Sequence, residues 1–166
     1  MLHHFREREG MSLSALCLEC GLCCDGTLFR HVAISAGERQ ELVKLGIGVG
    51  EKQKHEVMWL PCGKLEGKCC SIYEARPGGC RRFVCALGKR LVASEVTLPE
   101  AEGHVREMQT RIDTLRHLLP PPAGEPILRY ARSCIDSTTT QVTEEQVAAF
   151  KAVGALRYSV FMPPPL

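Results

Sequence analysis

Four cysteines fall within eight residues, Cys17-Leu18-Glu19-Cys20-Gly21-Leu22-Cys23-Cys24, and no other stretch limits the fold so tightly. Thiols two residues apart can turn both sulfurs toward one point, the spacing of zinc knuckles and iron–sulfur ligand runs. Gly21 suits a tight turn in which backbone N–H groups approach the sulfurs. A second group follows downstream: Cys62, Cys69, Cys70, Cys80 and Cys85. The expectation is that the two groups fold together, with sulfurs distant in the chain converging on a metal ion. Cys17, Cys20 and Cys23 match the first three cysteines of the bacterial ferredoxin run. The fourth does not match, because Cys24 is adjacent and no Cys-Pro follows. In extended backbone, neighbours such as Cys23 and Cys24 point opposite ways. One of them then serves a second site, or the two flank a shared cluster.

Ten cysteines in 166 residues is a high count, open to metal, disulfides or redox-active thiols. The segment Met1–Gly10 is charged, with no apolar run, so it does not read as a secretory signal. No stretch of about 18 apolar residues exists to span a membrane. These features predict a cytoplasmic protein, and clustered cysteines in a reducing compartment are more often ligands than disulfides. A net charge of +2 with interspersed acids and bases argues against a nucleic-acid partner, which calls for a basic stripe. The length suits one domain, or one domain with a helical appendix, and is enough to bury a core without cross-links.

The chain reads as α+β: a small irregular cysteine-cluster domain with short strands over 1–95, then amphipathic helices over 96–166 packing on it. Residues 1–13 are polar and read as loose. Residues 27–34 alternate as a strand. Ser35-Ala36-Gly37-Glu38 is a capping box opening a helix to about Leu45, closed by Gly46. The glycines of 46–50 follow a helix, so they predict a flexible loop and not a dinucleotide fingerprint. Val57–Leu60 reads as a strand, 63–68 as a hairpin turn and 70–73 as its return. Ala75–Gly79 is a turn, and Cys80–Val92 a helix. Thr97-Leu98-Pro99-Glu100 starts a long helix. Its apolar positions are Leu98, Ala101, Val105, Met108, Ile112, Leu115 and Leu119. Two further helices follow, over 127–135 and after the Thr143 cap. Pro163–Pro165 reads as extended.

The stretch Cys70-Ser71-Ile72-Tyr73-Glu74-Ala75-Arg76-Pro77-Gly78-Gly79-Cys80-Arg81-Arg82-Phe83-Val84-Cys85 resembles the C-x-I-Y-x-x-R-P-x-x-C-R-x-F-x-C segment of the CxxCxxCC family, also called YkgJ-type. The upstream cysteine run and Pro61-Cys62 complete the resemblance, over roughly residues 15–88. It implies a zinc- or iron-chelating domain, with iron–sulfur chemistry in the branch that takes part in flagellin lysine methylation. The ligands it implies are Cys17, Cys20, Cys23, Cys24, Cys62, Cys70, Cys80 and Cys85. Cys69 departs from the pattern and leaves open whether it or Cys70 ligates. Cys134 lies outside it and reads as a small buried hydrophobe.

Around the cysteines, Arg76 and Arg81 are expected to donate to thiolate sulfurs or to neutralise a negative four-sulfur site. Pro77 is expected to fix the turn that returns Cys80 toward Cys70, and Tyr73 and Phe83 to shield the cluster from water. The histidines show no ligand spacing. Asp25 reads as a turn residue and Glu144-Glu145 as helix-start charges. No catalytic residues are assigned. The first reading is a metal-binding module, its partner the metal ion together with a partner protein. The alternative is a redox or protein-methylation enzyme, or an accessory, that uses an iron–sulfur cluster.

Overall fold

The computed structural model describes residues 12–162. The loose stretch expected at the N-terminus, up to residue 11, and the extended Pro163–Pro165 lie outside the described residues. Two compact units emerge: residues 17–84, and a second that holds the described residues before Cys17 and those from Cys85 onward. The fold is α+β, with helices predominating and short antiparallel strands.

Residues 12–20 form a helix, α1, so Ser12 and Leu13, at the end of the stretch read as loose, are helical, and Cys17 and Cys20 sit on a helix. Gly21 ends it at φ +66°, a left-handed turn that an L side chain resists.

In the cysteine-rich unit, β1 (His31–Ala33), β2 (Val49–Lys52) and β3 (His55–Trp59) form an antiparallel sheet in the order β1-β3-β2. β1 pairs His31 with Trp59 and is shorter than the 27–34 run predicted. β2 falls partly within the predicted loop at 46–50. Its hairpin to β3 turns on Gln53 and Lys54, both at positive φ, without the Asn-Gly or Asp-Gly pair that usually announces such a turn. Gly50 lies under the Trp59 ring. A Cβ at that position would stand 2.6 Å from Nε1 of Trp59.

Helix α2 (Ala36–Lys44) starts at the Ser35–Glu38 capping box as predicted. Below the sheet, Leu42, Ile47, Met58, Leu60 and Cys62 form a buried cluster. Fully burying one such aliphatic side chain is worth about 1.5–3 kcal/mol. A second hairpin joins β4 (Leu65–Glu66) to β5 (Cys69–Cys70), with Glu66 opposite Cys69. A 3-10 turn (Tyr73–Ala75) leads to α3 (Gly78–Arg82).

The helix predicted from Cys80 to Val92 is two helices. After α3 the backbone extends at Phe83 and Cys85, and α4 (Ala86–Val92) begins in the second unit. There α5 (Leu98–Leu118) carries the Thr97–Glu100 capping box and buries Ala101, Val105, Met108, Ile112 and Leu115. Their alternating spacings of three and four residues make one stripe. α6 (Ile127–Asp136) and α7 (Glu144–Leu156) pack on it, and a π-helical turn (Arg157–Phe161) buries Val160 and Phe161.

Candidate metal centre

Cys24, Cys62, Cys70 and Cys80 come from four separate elements and share one neighbourhood. Cys62 is buried, and Cys24 and Cys80 pack against the same apolar cluster. The Cys62 N–H donates to the Cys24 carbonyl at 2.8 Å. Gly26, at φ +83°, lets the 24–26 loop run close to the Leu60–Pro61 backbone. Cys70 arrives on β5, where strand alternation turns it inward while Cys69 faces out.

Electrostatics tie the four together. Burial pushes the Cys24 thiol up to about 12, and negative charge at Cys70, Cys80 and Cys62 would raise it further. Burial and the charges of Cys62 and Cys70 push Cys80 up to about 11. Cys62 is raised by burial and by Cys70, against an opposing backbone hydrogen bond from Lys64. A cation placed among these sulfurs would favour their ionised forms over the protonated ones. Among the described residues no three His, Cys, Asp or Glu side chains already stand as an ion cage. As a donor set the four fit a soft ion in tetrahedral thiolate coordination.

Two supports hold Cys80. Glu38 caps α2 with one carboxylate oxygen, which accepts from Ser35 N–H at 2.8 Å. Its other oxygen accepts from the Gly78 N–H at the start of α3. These hydrogen bonds, the Gly78 one foremost, hold its carboxyl below the usual range. Gly79 lies flat on β1: a Cβ there would stand 2.5 Å from Val32 Cγ1 and 2.6 Å from the Ala33 carbonyl oxygen. The capping box announced half of the role of Glu38. Its reach to Gly78, 40 residues on, and the closeness of Gly79 to β1 had no local signal.

The arginines divide. Arg76 lies over the Tyr73 ring at 3.5 Å, donates to the Tyr73 carbonyl and offsets negative charge at Cys80. Arg81, expected at a sulfur, donates instead to the carbonyls of Arg76 and Glu74, both at 2.6 Å. It clasps the turn before α3. Phe83 stacks edge-on against Phe29 at 4.5 Å and is itself 38% exposed. It covers the apolar cluster only partly. Asp25 is a turn residue, accepting from the Thr27 N–H at 2.7 Å.

Cys17 and Cys20 lie on α1, and Cys23 in the turn that follows. The Cys69 thiol donates to the Leu18 carbonyl across 3.7 Å. Cys85 belongs to the second unit, where it is the N-cap of α4 and its Sγ accepts from the Gly88 N–H at 3.3 Å. Cys134 is buried on α6. No disulfide joins any of the ten.

A family model described as "CxxCxxCC: Putative zinc- or iron-chelating domain" matches residues 16–107, more than half of the chain. The chain belongs to this family, and metal binding through the cysteine cluster is its general character. The match runs past the resemblance read from the motifs, into α5, and leaves Cys134 outside. No curated protein and no solved structure matches the chain. Among the described residues no helix is long and apolar enough to cross a membrane.

Proposed function

We propose that this protein is a chelating module that holds a zinc or iron ion through Cys24, Cys62, Cys70 and Cys80. One observation carries the reading: Cys62 is buried, Cys24 and Cys80 pack against the same apolar cluster, and the Cys62 N–H donates to the Cys24 carbonyl, with burial and then the neighbouring thiols, Cys70 among them, raising Cys24 and Cys80. A soft cation turns that penalty into binding energy, since each thiolate then faces a positive charge.

Four thiolates close the coordination sphere and leave no position for a substrate. The module therefore works as a metal-holding scaffold, with Arg76 offsetting the negative charge that four thiolates bring. Cys85, implied as a ligand by the family resemblance, acts here as the cap of α4.

The test is elemental analysis of the full chain purified without oxygen. At least one zinc or iron per chain, lost in Cys24→Ser and Cys70→Ser variants that keep their circular dichroism, is expected. Iron accompanied by acid-labile sulfide and a brown colour assigns a cluster, and colourless protein with zinc assigns a single ion. Protein free of metal after reconstitution with both metals overturns the reading.

A further inference from the structure

One edge of the β1-β3-β2 sheet is open. The Trp59 N–H donates to the Gly48 carbonyl at 2.9 Å, and the register sets Gly50 opposite Val57 and Lys52 opposite His55. Bonded and unbonded positions alternate along an antiparallel pair. The backbone groups of Gly50 and Lys52 therefore face β3, and the N–H and C=O groups of Val49 and Glu51 face outward. Among the described residues no backbone group pairs with that outer edge. The other edge is different: Gly79 of α3 packs against the Ala33 carbonyl oxygen of β1.

The charges of this sheet are sorted by face. Side chains alternate along each strand, and the register puts His31, Gly50, Lys52, His55 and Trp59 on one face. These include every basic residue of the three strands. The acidic ones, Glu51 and Glu56, lie on the opposite face, where Glu56 is bound by Arg39. Lys52 and His55 are exposed beside the open edge. Trp59 lies over Gly50 and is 40% exposed, with the His31 ring edge-on to it at 5.9 Å.

The geometry points to β2 as a docking edge for an extended acidic peptide segment of a partner protein. The segment adds as a further strand, with alternate carboxylates on the Trp59 face and apolar side chains beside Val49 on the other. Main-chain hydrogen bonds to Val49 and Glu51 hold it, and the alternate side chains select it. Lys52 and His55 meet its carboxylates, and the side chain opposite Gly50 meets the Trp59 ring. A nucleic acid shares the attraction to the cations but has no alternating N–H and C=O groups to pair with the edge. A second copy joined edge to edge would set two such basic faces side by side.

Titration of a capped peptide of alternating glutamate and valine into the full chain tests this. Trp59, the sole tryptophan, reads binding by its emission, and the amide NMR shifts of Val49 and Glu51 read the edge. Saturable binding is expected, weakening as salt rises. Lys52→Glu should weaken it severalfold. Methylating the peptide nitrogens of its valines, the donors that face β2, should abolish it. Glu51→Pro removes one of the two outward N–H groups at an edge position where proline is tolerated, and should weaken binding with circular dichroism unchanged. Absence of binding overturns the proposal, as does equal binding of the methylated peptide or of a lysine–valine peptide. A thymidine oligonucleotide that binds more tightly than the peptide overturns it in favour of nucleic acid. A dimer in sedimentation that Glu51→Pro disperses overturns it in favour of a second copy.

Discussion

Replacing Gly79 by alanine should disable the metal centre without touching a sulfur. The added Cβ would sit 2.6 Å from the Ala33 carbonyl oxygen, where ordinary contact begins at 3.4 Å. Relief therefore takes about 0.8 Å of separation. Ala33 pairs with Val57 in the sheet and cannot retreat freely, so α3 moves and carries Cys80 with it. Metal–sulfur distances tolerate only about 0.2 Å, so the shift exceeds what a tetrahedral site absorbs. Overpacking of this kind costs about 1–3 kcal/mol in stability, and a site whose support is disturbed loses about 10–100-fold in affinity. Competition titration of zinc against a chelator measures the affinity, and chemical denaturation the stability. Gly78→Ala is the control. Its Cβ would meet only the Arg82 guanidinium, at 2.7 Å, the free end of an exposed side chain that can swing aside. Wild-type zinc affinity in Gly79→Ala, or equal losses in both variants, would refute the reasoning.

Other outcomes follow from the same geometry. Cys24 and Cys80 hold their protons in the folded chain up to about 12 and about 11, while an unfolded thiol loses its proton near 9.0. The metal-free protein should thus keep this contribution below pH 9 and lose stability as pH rises from there toward 11–12, a loss that denaturation with and without zinc will show is removed by the ion. Glu38→Gln keeps a cap oxygen but weakens the hold on the Gly78 N–H, so zinc affinity should fall severalfold. Because the Glu38 carboxyl is held low, its contribution is present above the ordinary carboxylate range and lost as pH falls below it, which a zinc titration between pH 7 and pH 4 of wild type against the variant will test after correction for thiol protonation. Met108→Ala, at a position with no exposure in α5, should cost the helical unit about 2–5 kcal/mol, read by thermal melting. Gly50→Ala should displace the ring of Trp59, the sole tryptophan, and shift its emission to the red.

Local chemistry was enough to determine much of this chain. Capping boxes at Ser35, Thr97 and Thr143 placed three helix starts, because a cap is decided within four residues. The α5 stripe was legible because spacings of three and four residues alternate from Leu98 to Leu119. The cysteine motifs identified the family, since metal chemistry demands thiols at set spacings. Where the chain depends on distant partners, the sequence was silent. β2 needed β3 beside it and turns on Gln53 and Lys54, which advertise nothing. The break at Phe83–Cys85 looks like continuous helix until α3 is seen against β1. Above all, spacing could not say how adjacent cysteines divide. Strand alternation at Cys69-Cys70 separates two thiols of identical chemistry, and only the packing of the hairpin beside α1 fixes which one turns inward.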